Sequence, residues 1–157
     1  MGTSVSEVYD RMMMLCQDYR LVSLFETSKL DFETYLESWL EYAIFEFDIC
    51  NQSLAYDVVM GEDTKAFDET LTKDNILILA NLMLKYWMKK NVNDITQMNL
   101  HVVDRDFKVF SEAQNLKEKQ AALNMQTEAC SQMLIDYSYK TSNMDWSKWF
   151  NQDFAGV

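Results

Sequence analysis

What most constrains this chain is an absence. Its 157 residues contain no proline, and glycine stands only at positions 2, 61 and 156. Sheets and tight hairpins draw heavily on both residues, because glycine reaches positive φ without steric cost and proline presets the turn. A chain nearly without them is expected to be all-α. The length suits one domain with a real core. Eleven methionines and 13% aromatic residues argue against disorder.

Apolar periodicity marks the helices. Between 71 and 139 the chain reads as two helices and a crossing, closed by Tyr137, Ser138 and Tyr139. Ile76, Leu79, Ala80, Met83, Leu84 and Trp87 recur at the spacing of an amphipathic helix. Thr72 is its expected N-cap, and Lys85, Lys89 and Lys90 suit its negative end. Ser111, with Gln114 three residues on, makes a capping box. Behind it Ala113, Leu116, Gln120, Leu123, Thr127, Cys130, Leu134 and Tyr137 alternate at three and four. That period predicts a long seam against another helix, and at ~1.5 Å per residue the span 111–137 is roughly 40 Å. Residues 91–110 are the expected crossing, with a helical turn near 95–100.

Earlier in the chain, Ser4 and Glu7 form another capping box before Val5, Val8, Tyr9, Met12, Leu15, Cys16 and Tyr19, a stripe predicted to run to Leu21. A link over 22–30 carries Leu24 and Phe25, expected to dock on the core. Asp31 is the expected cap of the next helix, whose stripe is Phe32, Tyr35, Leu36, Trp39, Leu40, Ala43, Ile44 and Phe47. Trp39 and Trp87, each on an unbroken stripe, are expected to be buried against one another's helices. Glu33, Glu37 and Glu41 repeat every four residues on the expected outer face, where like charges cost a few tenths of a kcal/mol per pair.

The formal net charge of −11 is unevenly placed. Residues 1–72 hold 15 acidic and 4 basic side chains, a balance of −11; residues 73–157 hold 10 of each and cancel. Such a field repels nucleic-acid phosphates and anionic lipid. It fits a soluble protein with solvated acidic faces, or an acidic surface that faces DNA without holding it or resembles DNA. Residues 51–70 combine Asp57, Glu62, Asp63, Asp68 and Glu69 with Gly61. At that length the segment is a candidate interaction loop, with a short strand possible at 54–60.

Residues 140–157 form a polar terminal arm bearing Trp146, Trp149, Phe150 and Phe154 at i, i+3, i+4 and i+8. Large aromatics on such an arm call for a surface to cover them, either on the chain's own helices or on another subunit. The whole is expected to be a bundle of about four main helices over 1–139, including one long C-terminal helix, with 140–157 as an extended aromatic arm.

Enzyme signals are missing. His101 is the only histidine, so a nucleophile–base pair would rest on it alone. Metal ligand clusters and glycine-rich phosphate loops are absent, and no cofactor is expected. Cys16, Cys50 and Cys130 are odd in number and far apart, as free thiols in a reducing compartment would be. No apolar run approaches ~18 residues, so no membrane is expected.

One pattern is specific. Trp87-Met88 closes an apolar helix; Phe107, Lys108, Val109, Phe110, Ser111, Glu112 and Ala113 follow with Leu116; a long helix then ends at Tyr137-Ser138-Tyr139. Over about 31–139 this resembles the head–tail adaptor (connector) proteins of tailed bacteriophages, small helical proteins that sit under the portal. Lys89-Lys90-Asn91 stands where such proteins often carry a proline, so the crossing is expected to differ in shape. The resemblance implies a structural protein of the virion neck, made in the host cytoplasm and not an enzyme. It implies a ring, by likeness a dodecamer, bound to the portal above and to the next neck protein below. DNA would pass through without specific binding. The terminal aromatics and Asp57, Glu62 and Asp63 become the candidate partner-binding residues. Glu33, Glu37 and Glu41 become the candidate channel or inter-subunit face. The rival expectation is an acidic DNA mimic, or helical regulator, that binds a nucleic-acid enzyme.

Overall fold

The computed structural model describes residues 2–16, 18–60, 64–101 and 106–142, with the side chains of 97–101 and 106–113 outside that description. The fold is all-α. Five helices are present among the described residues: α1 (Val5–Leu15), α2 (Tyr19–Thr27), α3 (Lys29–Glu46), α4 (Lys73–His101) and α5 (Asp106–Thr141). A two-stranded antiparallel hairpin, β1 (Tyr56–Val58) and β2 (Lys65–Phe67), lies between α3 and α4, with Tyr56 opposite Phe67.

The centre is α4. Thr72 caps it as expected, its hydroxyl accepting from Asn75 N at 3.3 Å. Over the first four turns its burial exceeds a stripe. Asn75, Ile76, Ile78, Leu79, Ala80, Asn81, Leu82, Met83, Leu84 and Lys85 are all buried, because α1, α3 and α5 pack around it. Val8 and Met12 of α1, and Leu36, Leu40 and Ala43 of α3, fill the same core with no exposed surface. Each large apolar side chain so enclosed contributes about 1.5–3 kcal/mol.

Several expected boundaries move. The first helix does not reach Leu21: it ends at Leu15, and Asp18 takes an extended backbone and accepts from Arg20 N at 2.8 Å, starting α2 anew. An aspartate there satisfies an orphan amide of the new helix, and that local gain outweighs continuity. The rotation this allows buries Leu21 and leaves Tyr19 89% exposed. The supposed link over 22–30 is therefore largely helical. Leu24 does pack on the core, while Phe25 is half-exposed and meets Phe32 edge-on at 5.2 Å. Ser28, not Asp31, caps α3, its hydroxyl accepting from Asp31 N at 3.3 Å.

The crossing expected over 91–110 is mostly helix, since α4 continues to His101 and α5 begins at Asp106, five residues before the expected Ser111 cap. Lys85, Lys89 and Lys90 are thus inside α4 and not at its negative end. At ~1.5 Å per residue the 36 residues of α5 span about 54 Å. α5 runs antiparallel to α4, as Gln126 and Cys130 against Asn81, and Lys140 against Asp74, demonstrate. Its seam uses Leu116, Leu123, Gln126, Cys130, Met133, Leu134 and Tyr137, while Gln120 and Thr127 are exposed. Trp39 and Trp87 are half-buried and not enclosed.

The strand expected within 54–60 is β1. Behind the hairpin the N-terminus is sewn down. Thr3 exchanges backbone hydrogen bonds with Glu69 and Phe67, and its hydroxyl accepts from Leu71 N at 2.8 Å. A Cβ on Gly2 would lie 1.5 Å from Phe67 O, so only glycine permits this approach.

Candidate functional site

Glu33, Glu37 and Glu41 share one side of α3, but their surroundings differ. Glu33 pairs with Lys29 at 3.5 Å, one turn earlier. Glu37 is half-buried against the hairpin, its carboxylate accepting from Lys65 Nζ and, at 3.2 Å, from the Tyr56 hydroxyl. Glu41 is exposed and has no ion pair among the described residues. The uniform outer row is thus corrected: the hairpin folds onto α3 and brings Lys65, the one base of its segment, to Glu37. Burial, then the charge of Glu37, pushes the buried Tyr9 phenol beside this row far above its ordinary value. The same causes push Tyr56 up to about 12. Tyr9, Lys29, Glu33, Glu37 and Lys65 line a recess of about 120 Å³ there.

Asp57 is exposed on β1, and its Oδ1 accepts from Val58 N at 2.7 Å. Glu62 and Asp63 lie outside the described residues, as do Trp146, Trp149, Phe150 and Phe154. The acidic field itself is real at the surface. Glu7, Asp10, Glu26, Asp31, Glu41, Asp48, Asp57, Asp68 and Glu69 are all exposed.

Two apolar faces were not legible as sites. On α3, Tyr42 and Phe45, with Ile49 just beyond it, line one side at i, i+3 and i+7; Phe45 is 84% exposed. Tyr42 stacks on Tyr86 of α4 at 5.3 Å. Beside that stack, Lys85 donates to both carboxylate oxygens of Glu46, and the Tyr86 hydroxyl adds a third bond at 2.7 Å. On α2, Tyr19, Val22 and Phe25 face outward. The available signal was surplus: both helices carry apolar residues beyond the stripe their core contacts use. Contiguous exposed aromatics mark docking surfaces.

A cleft of about 430 Å³ opens where the α1–α2 link, the second half of α4 and the first half of α5 meet. Trp87, Met88, Val92 and Ile95 of α4 form its apolar floor, with Ala122 of α5 at one wall; Asp18, Arg20, Asp94 and Lys119 stand at its rim. That volume is enough for two or three large side chains.

Among the described residues no group of three His, Cys, Asp or Glu side chains could hold a metal ion. The three thiols are free. Burial, and then Asp18, pushes Cys16 up to about 11, and burial raises Cys130 as well, so neither offers a thiolate at neutral pH. The His101 side chain lies outside the described residues. No described helix is long and apolar enough to cross a membrane. No family model, curated protein or solved structure matches the chain.

Proposed function

We propose that this chain is a non-enzymatic structural protein of a bacteriophage virion, a ring-forming head–tail adaptor that docks on the portal. The observation that carries the reading is the amount of aromatic surface the single chain leaves uncovered on a rigid helical frame. Phe45, Tyr42 and Tyr19 are mostly exposed on α3 and α2. α5 adds Met125, Ile135 and Tyr139, because it rests on α4 through one narrow seam. Such a body is built to be covered by neighbours. The resemblance at Trp87-Met88, 107–113 and 137–139 gives those neighbours their identity: other copies in a ring, by likeness twelve, the portal, and the next neck protein.

In this reading the unpaired carboxylates, Glu41 and Asp57 among them, line surfaces that let DNA pass without gripping it. Glu37, tied to Lys65 and Tyr56, holds the hairpin against α3, while Glu33 pairs with Lys29 within the helix. The acidic-mimic alternative draws on the same charge. The even balance of 73–157, with Lys117, Lys119 and Lys140 along α5, suits it less.

The test is co-sedimentation of the purified chain with the portal rings of the same phage, paired with a DNA gel shift at physiological salt. Portal binding without submicromolar DNA binding is expected. Failure to bind the portal, together with displacement of DNA from a nucleic-acid enzyme, would favour the mimic.

A further inference from the structure

We infer that the outer face of α5 is a seam for a second copy of this chain, the two α5 helices packing antiparallel about a two-fold axis. This contact goes beyond the adaptor reading and does not depend on it.

Two stripes run along α5, and the bundle covers only one. Cys130, buried against Asn81 of α4, marks the covered side. Ala121 and Tyr139 each stand nine residues from Cys130, two and a half turns at ~3.6 residues per turn, and so lie on the opposite side. Between them Met125, Glu128, Gln132 and Ile135 complete a run spaced four, three, four, three, four. All six side chains are exposed, Met125 by 72% and Tyr139 by 67%. Exposed apolar side chains scattered singly need no explanation. Four of six on one such repeat do, because a period near 3.5 keeps one face turned toward a partner helix along its length.

Charge selects the partner. A two-fold contact sets a surface against its own copy, and residues 1–72 carry the whole net charge of −11. A face from that half meets itself against repulsion. On the described side of α5, Lys117, Lys119 and Lys140 balance Glu118, Glu128 and Asp136, so this helix is free of that obstacle.

Direction and register follow from the same residues. Parallel helices would set Glu128 on Glu128 and align the two helix dipoles, both unfavourable. Antiparallel helices that cross at residue 130 put Tyr139 over Ala121, Ile135 over Met125 and Gln132 over Glu128. Large then meets small at each end, and in the middle an amide can donate to a carboxylate. Asp136 falls opposite Asn124, and Lys140 opposite Gln120, so no like charges face one another. Sliding one helix by seven residues puts Ile135 over Glu118 or Gln132 and loses the apolar layers. From Ala121 to Tyr139 the seam is about 27 Å long at ~1.5 Å per residue. A contact of that length and one helix wide is small, so the pair is reversible and its population follows concentration.

The experiment is sedimentation velocity of the full-length chain, without portal, at rising concentration. The parent is expected to shift from monomer to dimer. Met125→Glu alone and Ile135→Lys alone are each expected to stay monomeric where the parent pairs. Mixed in equal amounts they are expected to regain the dimer. In the antiparallel register the introduced carboxylate and ammonium face one another in one layer, while the native Ile135 and Met125 pair in the other. Circular dichroism checks that each variant is folded. Should Ile135→Lys not fold, Ala121→Glu and Tyr139→Lys, another opposed pair of positions, replace the two variants. A parent that stays monomeric, a single variant that associates as the parent does, or a mixture that regains no dimer each overturns the inference.

Discussion

Lys85 and Glu46 meet across the α3–α4 interface, the ammonium donating to both oxygens of the carboxylate. Lys85 is only 9% exposed, while Glu46 is half-buried, so the ammonium is the partner withdrawn from water and depends on the carboxylate. Removing one leaves a buried charge uncompensated. Glu46→Ala is expected to cost about 3 kcal/mol, whereas Glu46→Leu combined with Lys85→Met restores much of that loss. Urea denaturation of the two variants makes the comparison. Equal stability of single and double variants would mean that water already solvates the pair.

Alkali should find the weak point of the same region. Burial, then the hydrogen bond to Glu46, pushes Tyr86 up to about 12; burial and Glu37 do the same to Tyr56. Both phenols are neutral in the fold, while the unfolded chain ionises them near an ordinary value of about 10. Their contribution is complete below pH 10 and disappears as pH rises from 10 to 12. Melting temperatures across that interval should fall less steeply in Tyr86→Phe than in the parent. Parallel curves would show that Tyr86 titrates normally.

The core sits on α4 and not on the tryptophans. Leu79 is fully enclosed, so Leu79→Ala is expected to cost about 2–5 kcal/mol. Trp39 and Trp87 are half-buried, and Trp39 Nε1 has no hydrogen-bond partner among the described residues. Trp39→Ala and Trp87→Ala should therefore destabilise less than Leu79→Ala. The reverse order in denaturant midpoints would return the tryptophans to the centre.

How much of this was legible turns on the difference between local and long-range information. The all-α fold followed from missing turn residues, and Thr72 as a cap followed from a hydroxyl beside an apolar run. Periodicity also placed α3, since Phe32, Leu36, Leu40, Ala43 and Phe47 are all buried. It failed at Cys16, where an apolar stripe runs through a break that Asp18 makes by capping, and it placed the cap at Asp31 and not at Ser28, three residues earlier. A stripe says which face is apolar and not how many neighbours press on it. For that reason α4, buried nearly all round, looked like an ordinary amphipathic helix. Of the candidate site residues, Glu37 was misread as solvated because its partner Lys65 is 28 positions away, on a hairpin whose docking no spacing reveals. The cleft under Trp87 was invisible for the same reason, since its walls come from three separated stretches.

The central proposal is that this chain forms a ring seated on a portal, and electron microscopy of the chain mixed with the portal rings of the same phage tests that most directly. The expected result is an added annulus of density under the portal, with the portal's own rotational symmetry and a channel wide enough for duplex DNA. Portal particles unchanged in the presence of excess chain would contradict it.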